Sequence, residues 1–292
     1  MTQSKFKQLF LQNPMFAEVQ RAKRSLLSEH NWRGGQLAVR LLIAVFYLFL
    51  LVMTMSFVDD IEPFLVMYIM LGLATIVLPS TLHGAIAGER EQRALDMLLV
   101  APVTPGQIVV GKFAKALLTI GLLVVFIGLP AMFIELVHQS SPAYAQYNYG
   151  PDSNGFVGYF TSLALVVVTS LMIGAITMWV SSKTKSKAGA MLGTIGALFV
   201  LFIVVPSIGG VVNFVYPGVS EALTSTSPFV LLYWAYMGFA DNYGYSYGYG
   251  YEERAQSAFY VLPTMIAMAL LTVLFLVLAT RNLQRIALGR TD

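Results

Sequence analysis

The stretch of this sequence that most resembles a catalytic or ligand-binding motif is 105–113, PGQIVVGKF. Gly106, Gly111 and Lys112 have the spacing of a phosphate-binding loop, G-x-x-x-x-G-K-[ST], in which backbone amides and a lysine surround nucleotide phosphates. Such a loop follows a strand, and its Ser or Thr binds Mg²⁺. Here Phe113 stands in the hydroxyl position, and the preceding VAPVTP has two prolines within four residues. We therefore expect no ATP site in this chain.

The same segment has the signals of a helix start. Thr104 suits the N-cap, Pro105 suits the first helical position, and Gln107 completes a capping box. Lys112 then lies inside the start of a membrane-spanning helix. Lys115 follows at headgroup depth, where a long lysine side chain reaches the interface. The segment thus predicts helix initiation at a membrane surface rather than nucleotide binding.

The composition is that of a membrane protein with several spans. Of the 292 residues, 57% are hydrophobic and 11% are charged, and the mean hydropathy is +0.70. Soluble domains carry about 25% charged residues. The pI of about 9.0 fits Lys and Arg held on the cytoplasmic side, so we expect no nucleic-acid partner. Because the chain has no cysteine, disulfides and thiolate metal sites are excluded.

Six stretches are long and apolar enough to cross a bilayer, which takes about 20 apolar residues. Numbered here as spans 1 to 6, they are 37–58, 64–87, 108–137, 156–180, 188–215 and 257–280. A further apolar piece, 228–240, is too short to cross and is typical of a re-entrant or interfacial segment. The predicted fold is an all-α polytopic membrane protein. Its parts are an N-terminal segment at 1–36, a six-span transmembrane domain at 37–280 and a tail at 281–292.

The charges indicate which side of the membrane each loop occupies. All 18 Lys and Arg residues except Arg254 lie in segments on the same side, at 1–40, 88–115, 181–187 and 281–292. The opposite loops carry acidic residues instead. Since cytoplasmic loops are enriched in Lys and Arg, we predict that both termini are cytoplasmic.

The N-terminal segment has an amphipathic pattern. Asn13 suits the cap of a helix that begins at Pro14. Apolar residues then recur at helical spacing, interleaved with Arg21, Lys23 and Arg24. This pattern fits a helix in the cytoplasmic membrane interface or a soluble helix packed on a partner. We favour the interfacial helix because a spanning helix follows immediately.

The loop between spans 2 and 3 predicts a short amphipathic helix at 89–100. Glu89 and Arg93 are four residues apart, as are Leu95 and Leu99, and a proline ends the pattern. A rigid cytoplasmic helix in this position is suited to docking a soluble partner. Periodicity leaves a second interpretation open, in which the helix rests on lipid headgroups.

The stretch 89–112, EREQRALDMLLVAPVTPGQIVVGK, resembles the signature of the membrane subunits of type-2 ABC exporters. The positions that match are Glu89, Arg90, Glu91, Leu95, Leu98, Leu99, Pro102, Val103, Thr104, Gly111 and Lys112. Arg93, Ala94 and Asp96 depart from the usual Gly, Thr and Glu. Six spans, an N-terminal interfacial helix and a re-entrant segment before span 6 agree with this family along the chain.

The resemblance implies a permease subunit that forms the translocation path and is coupled to a separate ABC ATPase subunit. ATP and magnesium would bind that partner, and this chain would hold no cofactor, metal or catalytic residue. A second permease subunit, identical or different, would complete an outward path in the plasma membrane of a prokaryote. The ATPase-coupling residues that the resemblance implies are Glu89, Arg90, Glu91, Leu95, Asp96, Leu98, Leu99, Pro102 and Val103.

The positions of titratable residues give an independent indication of the energy source. Carriers driven by protons or ions place such groups near the bilayer midplane. Arg40 begins span 1, Glu135 lies at the outer end of span 3, and His83 lies near the cytoplasmic end of span 2. A chain without midplane charges or an ATP site fits a subunit moved by ATP hydrolysis elsewhere. A secondary carrier or channel without an ATPase and a non-transporting anchor or signalling subunit stay open as alternatives.

Small residues and prolines recur inside the predicted spans. Gly189, Gly193 and Gly196 in span 5 allow close helix contact, either within one subunit or between two. Prolines, which kink helices, are found within the spans at Pro79, Pro130 and Pro206.

The remaining loops differ in composition on the two sides. Tyrosine-rich segments at 144–150 and 241–253 fit an outer aromatic belt or sugar stacking. Lys183, Lys185 and Lys187 fit anchoring on the cytoplasmic side, with anionic lipid or the ATPase as further contacts.

Overall fold

In the computed structural model, the described residues are 63–92, 95, 103–140, 155–212, 217–240 and 251–288. All regular secondary structure in these ranges is helical, as the sequence predicts. The helices are α1 (Pro63–Leu82), α2 (Gly84–Glu91), α3 (Pro105–Leu123), α4 (Leu129–Ser140), α5 (Gly155–Lys183), α6 (Lys187–Phe199), α7 (Val205–Val212), α8 (Pro217–Thr224), α9 (Pro228–Ala240) and α10 (Tyr251–Ala287). The interfacial helix predicted within 1–36, span 1 at 37–58 and the tyrosine-rich segments at 144–150 and 241–250 lie outside the described residues.

Five helical stretches in the described ranges are long and apolar enough to cross a membrane. They are Leu65–Glu91, Pro105–Val137, Phe156–Lys183, Lys187–Val212 and Tyr260–Ala287. They correspond to the predicted spans 2 to 6, and we keep those numbers. Spans 2 and 6 continue as helix past the predicted ends at 87 and 280, because helical hydrogen bonding persists for one or two polar turns beyond the apolar zone.

Span 4 is the centre of the bundle. Its helix, α5, packs against α1, α2, α3, α6, α9 and α10. Within the chain, 67% of its most apolar stretch is buried, against 17% for spans 5 and 6. Met172 and Ile173 of this helix belong to the same apolar core as Met70 and Leu71 of α1. Leu192 of span 5 and Leu270 of span 6 point outward, as apolar side chains do in a lipid environment.

Each proline predicted to kink a span lies beside an irregularity. A π-helical stretch, Val124–Gly128, precedes Pro130, and a second, Val200–Val204, precedes Pro206. Proline has no amide hydrogen and its ring clashes with the carbonyl four residues earlier, so a wider turn relieves the contact. In span 2, the helix is interrupted at His83, four residues after Pro79.

The short apolar piece before span 6 forms α9. Its 13 residues are about 20 Å long at 1.5 Å per residue, too short to cross a membrane. Leu231, Leu232 and Ala235 are buried, and the helix packs against α1, α5 and α10. The hydroxyl of Tyr68 donates a hydrogen bond to the carbonyl of Phe229 at 2.8 Å. The re-entrant path of this segment stays a prediction.

The glycines of span 5 differ in their surroundings. A Cβ on Gly193 would lie 2.9 Å from Cγ1 of Val180 in span 4, so this glycine permits close packing within the subunit. A Cβ on Gly196 would meet nothing within 4 Å.

Candidate coupling site

Spans 2 to 6 meet at one end of the bundle through polar contacts. We call this the basic end and define it as residues 84–91, 105–115, 179–190 and 279–288. It carries all of the described Lys and Arg residues except Arg254. The predicted coupling residues that the structure describes belong to this end or adjoin it.

Lys112 joins the start of span 3 to the end of span 2. The residue is 5% exposed. Its ammonium group donates a hydrogen bond to the carbonyl of Ala85 and forms an ion pair with Oε1 of Glu89. Because the desolvation of an ammonium group is costly, a buried lysine needs partners of this kind. The lysine of the near phosphate-binding pattern therefore contributes to the contact between two spans.

Ser181, at the end of span 4, inserts its buried hydroxyl into span 2. The hydroxyl accepts hydrogen bonds from the amides of Ile86 at 3.1 Å and Ala87 at 3.0 Å. It donates to the carbonyl of His83 at 2.7 Å. One side chain of span 4 is therefore bonded to the turn at which α1 ends and α2 begins.

The start of span 5 is joined to the end of span 2. Ser186 caps α6 by accepting a hydrogen bond from the amide of Gly189 at 3.2 Å. Glu91 accepts one from the amide of Lys187 at 3.0 Å. A carboxylate is favourable there because the first amides of a helix lack intrahelical partners and carry partial positive charge.

The aliphatic part of Lys187 covers one face of α2. Its methylene carbons lie where side chains at Gly84 and Gly88 would be, and a Cβ on Gly88 would lie 2.5 Å from Cε of Lys187. The two glycines are four residues apart and so share a face of the helix. Gly88 in particular allows this close contact between spans 2 and 5.

The capping box predicted at the start of span 3 is confirmed. The amide of Thr104 donates to Oε1 of Gln107 at 2.9 Å, and the amide of Gln107 donates to Oγ1 of Thr104 at 3.3 Å. Pro105 is the first helical residue. Val103, just before the cap, packs against the apolar core, and Leu95 is 1% exposed within it.

The predicted coupling residues are distributed unevenly over the structure. Glu89, Arg90 and Glu91 form the last turn of α2, which ends at Glu91, so they continue span 2 and do not begin a separate helix. The amide of Gln92 still donates to the carbonyl of Gly88 at 3.1 Å. Of the helix predicted at 89–100, the structure describes 89–92 and 95. The coupling residues outside the described ranges are Asp96, Leu98, Leu99 and Pro102.

Sequence patterns do not reveal the roles of two residues at this end. Ser181 stands out in no motif, and the position of Lys187 predicts an anchor or a contact for lipid or the ATPase. Their contacts on span 2 join residues 94 and 96 positions apart, a relation that periodicity does not contain. The available signal was a pair of serines at the end of an otherwise apolar span.

Within the basic end, span 6 is connected to span 4. Nδ2 of Asn282 donates a hydrogen bond to Oγ of Ser182 at 3.1 Å. The ring centroids of Trp179 and Phe275 are 5.2 Å apart. Nζ of Lys183 lies 4.4 Å from the centroid of the Trp179 ring, a cation–π arrangement.

The titratable groups that the sequence places within described spans lie near their ends. Nδ1 of His83 is 3.0 Å from the carbonyl oxygen of Pro79, one turn back in span 2. Glu135 is fully buried close to the end of span 3 that is remote from the basic end. Arg40 lies outside the described residues.

An apolar groove of about 330 Å³ lies between spans 2 and 5, beside α9. Ile76, Ile195 and Phe199 are among its lining residues. Thr75 is the one polar residue of the lining, and its hydroxyl donates to the carbonyl of Leu71 at 2.8 Å. The surface of this groove is therefore suited to hydrocarbon.

In the part of the chain that the structure describes, these features define a multi-pass, all-helical membrane protein whose interhelical polar contacts are concentrated at one end. A family model of ABC-2 family transporter proteins matches residues 65–288, more than three quarters of the chain. The chain belongs to this family and is an ABC transporter permease, as the resemblance indicates. Permeases of this family are membrane transport components, generally non-catalytic, and generally work with an ATPase subunit. No curated protein matches the chain.

Proposed function

We propose that this permease is half of an ATP-driven exporter and that residues 89–103 receive force from a separate ABC ATPase subunit. ATP and magnesium bind the ATPase, and this chain contributes no catalytic residue or cofactor. Closure of two ATPase subunits moves the end of span 2, and the substrate passes outward between two permease subunits. The residues proposed to couple the permease to the ATPase are Glu89, Arg90, Glu91, Leu95, Asp96, Leu98, Leu99, Pro102 and Val103.

One observation supports this proposal above the others: the end of span 2 is bonded to three other spans. Lys112 of span 3, Ser181 of span 4 and the amide of Lys187 in span 5 all bind residues 83–91. Displacing this end therefore displaces parts of spans 3, 4 and 5 without an intervening flexible linker. A loop that only reconnected two spans would not need these contacts.

The orientation in this proposal follows from charge. The basic end faces the cytoplasm, where the ATPase is, and both termini lie on the same side of a prokaryotic plasma membrane. The apolar groove between spans 2 and 5 supports a transported compound that has an apolar part.

The absence of cysteine allows a direct test of docking. Gln92→Cys places a thiol at the exposed end of α2, and Val157→Cys places one at an exposed position remote from the basic end. A benzophenone attached to either thiol is photolysed in native membranes, and 8-azido-ATP marks the nucleotide-binding partner. We expect a nucleotide-labelled adduct from Gln92→Cys and none from Val157→Cys. Adducts from both positions, or from neither, would contradict docking at this end.

Flux in inverted vesicles separates the alternatives. An exporter accumulates its substrate when ATP is supplied. A secondary carrier responds to an ion gradient and ignores ATP. An anchor or signalling subunit gives the labelled adduct without flux of any compound.

A further inference from the structure

Span 2 is a helix whose hydrogen bonding is interrupted at one residue. α1 ends at Leu82 and α2 begins at Gly84, whereas His83 between them keeps helical torsion angles, with φ of −56° and ψ of −35°. In a continuous α-helix the amide of Ala87 donates to the carbonyl of His83. In this structure that amide and that carbonyl both bind the hydroxyl of Ser181.

The inserted hydroxyl is fully satisfied. A serine hydroxyl has one hydrogen to donate and two lone pairs that accept. Ser181 donates to His83 and accepts from Ile86 and Ala87, and its side chain is 0% exposed. The hydroxyl of span 4 thus pairs three backbone groups of span 2, two amides and one carbonyl.

Ser181 differs in this respect from two other buried hydroxyl residues of span 4, Ser170 and Thr177. Ser170 donates to the carbonyl of Val166 at 2.6 Å, and Thr177 donates to that of Ile173 at 2.8 Å. Both bonds lie within one helix, which is the usual choice of a buried serine or threonine in a helix. Such a bond is open to Ser181 as well, toward its own helix.

From this geometry we propose that the Ser181 hydroxyl is a removable wedge and that span 2 bends at residues 83–87. With the hydroxyl inserted, the turn is open. With the hydroxyl withdrawn to its own helix, the amides of Ile86 and Ala87 bind the carbonyls of Leu82 and His83 directly and span 2 straightens. Both states keep the Ala87 amide, the His83 carbonyl and the hydroxyl hydrogen paired, so the two conformations are close in free energy. Ser181 is a positioning residue that sets the direction of α2.

The hinge is placed where bending has an effect on the rest of the bundle. Beyond it, Glu89 is paired with Lys112 of span 3, and Glu91 binds the start of span 5. Before it, Pro79 has already removed one amide from the hydrogen-bond ladder. Bending at 83–87 therefore moves the ends of spans 3 and 5 while the membrane-embedded part of span 2 stays in place. That this motion is driven by an ATPase rests on the proposed function.

Hydrogen–deuterium exchange of the purified permease in nanodiscs tests the hinge itself. Ser181→Ala removes the wedge, so the direct bond forms and the amides at 86 and 87 exchange more slowly than in the wild type. We expect a decrease of at most about five-fold, the factor that corresponds to one hydrogen bond of ordinary net strength, because each amide changes its partner and gains no additional bond. If the hydroxyl is merely a structural partner, its removal leaves these amides unbonded and they exchange faster, which would overturn the proposal. Failure of the variant to fold would overturn it too, because folding cannot depend on a removable wedge.

Ser170→Ala is the matched control. Ser170 lies in the same span, is buried, and bonds only within its own helix in the structure. We expect exchange at 86 and 87 to be unchanged in this variant. An equal change in both variants would show that loss of any buried hydroxyl in span 4 affects the amides, which also contradicts a hinge at Ser181.

A distance measurement connects the hinge to the proposed function. Spin labels at Ile69→Cys and Gln92→Cys, both exposed positions, are separated by about 35 Å in a straight helix. We expect Ser181→Ala to give a longer and narrower distribution of distances than the wild type. With the ATPase bound, nucleotide should shift the wild-type distribution and leave that of Ser181→Ala unchanged. No nucleotide effect in the wild type, combined with slower exchange in Ser181→Ala, would reject ATPase coupling and keep the hinge.

Discussion

The charge of Lys112 is buried between two spans and is balanced by one carboxylate. Glu89 is more accessible than Lys112, with 30% of its side chain exposed against 6%. Removing the partner of each charge therefore leaves the remaining charge in a different environment. The side chain of Glu89 stays partly exposed although its Oε2 is buried, whereas Lys112 remains in a region of low polarity.

We predict that Glu89→Gln destabilises the permease more than Lys112→Met does. Removal of one partner of a fully buried pair costs about 3–5 kcal/mol, and the hydrogen bond that Lys112 keeps to the carbonyl of Ala85 places the cost here below that range. Lys112→Met removes the buried charge and keeps most of the volume of the side chain. The double variant should lose less stability than the sum of the losses in the two single variants. Thermal unfolding in detergent measures all four proteins, and additive effects would show that the pair is not coupled.

Residue-level features were predictable where they depend on neighbours in the chain. The capping box of Thr104 and Gln107 needs residues three positions apart, and both of its hydrogen bonds form. The ion pair of Lys112 and the insertion of Ser181 depend on how spans are arranged around one another. The sequence of a single helix does not contain that information, so these contacts were not predicted.

Span 4 is the central helix of the bundle. Small residues along span 4 allow neighbouring helices to pack closely against it. Gly174 is one of these positions. A Cβ there would lie 3.1 Å from Cε2 of Phe113 and 3.3 Å from Cβ of Ala116, both in span 3. Gly121 of span 3 is the opposite case, since a Cβ there would meet nothing within 4 Å.

We predict that Gly174→Val reduces the yield and melting temperature of folded permease, whereas Gly121→Val has little effect. Overpacking a filled interior costs about 1–3 kcal/mol. Both glycines lie inside helices, so the change in helix propensity is the same and only the contacts differ. Size-exclusion chromatography with thermal unfolding provides the measurement. Equal losses in the two variants would indicate that propensity, and not contact with span 3, sets the effect.

The helices were also predictable only where the signal lies within one segment of the chain. Hydropathy located the five described spans and the short α9, because length and apolar content decide whether a helix crosses a membrane. It placed the end of span 2 at 87, while the helix continues to Glu91 through polar residues. Prolines indicated where helices deviate but did not distinguish the π-helical stretches from the interruption at His83.

On the scale of the whole molecule, the distribution of charge determines the orientation that we propose. The basic end gathers lysines and arginines from four separate stretches of the chain. Because cytoplasmic loops are enriched in Lys and Arg, we propose that this end faces the cytoplasm. In this proposal the helix α8 at Pro217–Thr224 lies on the other side, since it follows span 5 as that span leaves the basic end.

Cysteine labelling tests this orientation in a chain that has no cysteine of its own. Lys185→Cys and Val219→Cys introduce thiols at exposed positions on the two sides. We predict that a membrane-impermeant maleimide labels Val219→Cys in intact cells and Lys185→Cys only in inverted vesicles. The reverse pattern would place the basic end outside and would exclude a cytoplasmic ATPase contact there.

The groove between spans 2 and 5 has a consequence for how tightly anything is held in it. A molecule arriving from water gains free energy with each methylene it buries, about 0.8 kcal/mol, whereas one arriving from the bilayer exchanges one hydrocarbon surface for another and gains little. Because the hydroxyl of Thr75 donates its hydrogen to its own helix, the lining offers few hydrogen bonds to a bound molecule. A lipid-borne guest would therefore stay briefly and be sorted by shape more than by affinity, a condition that favours rapid turnover over retention.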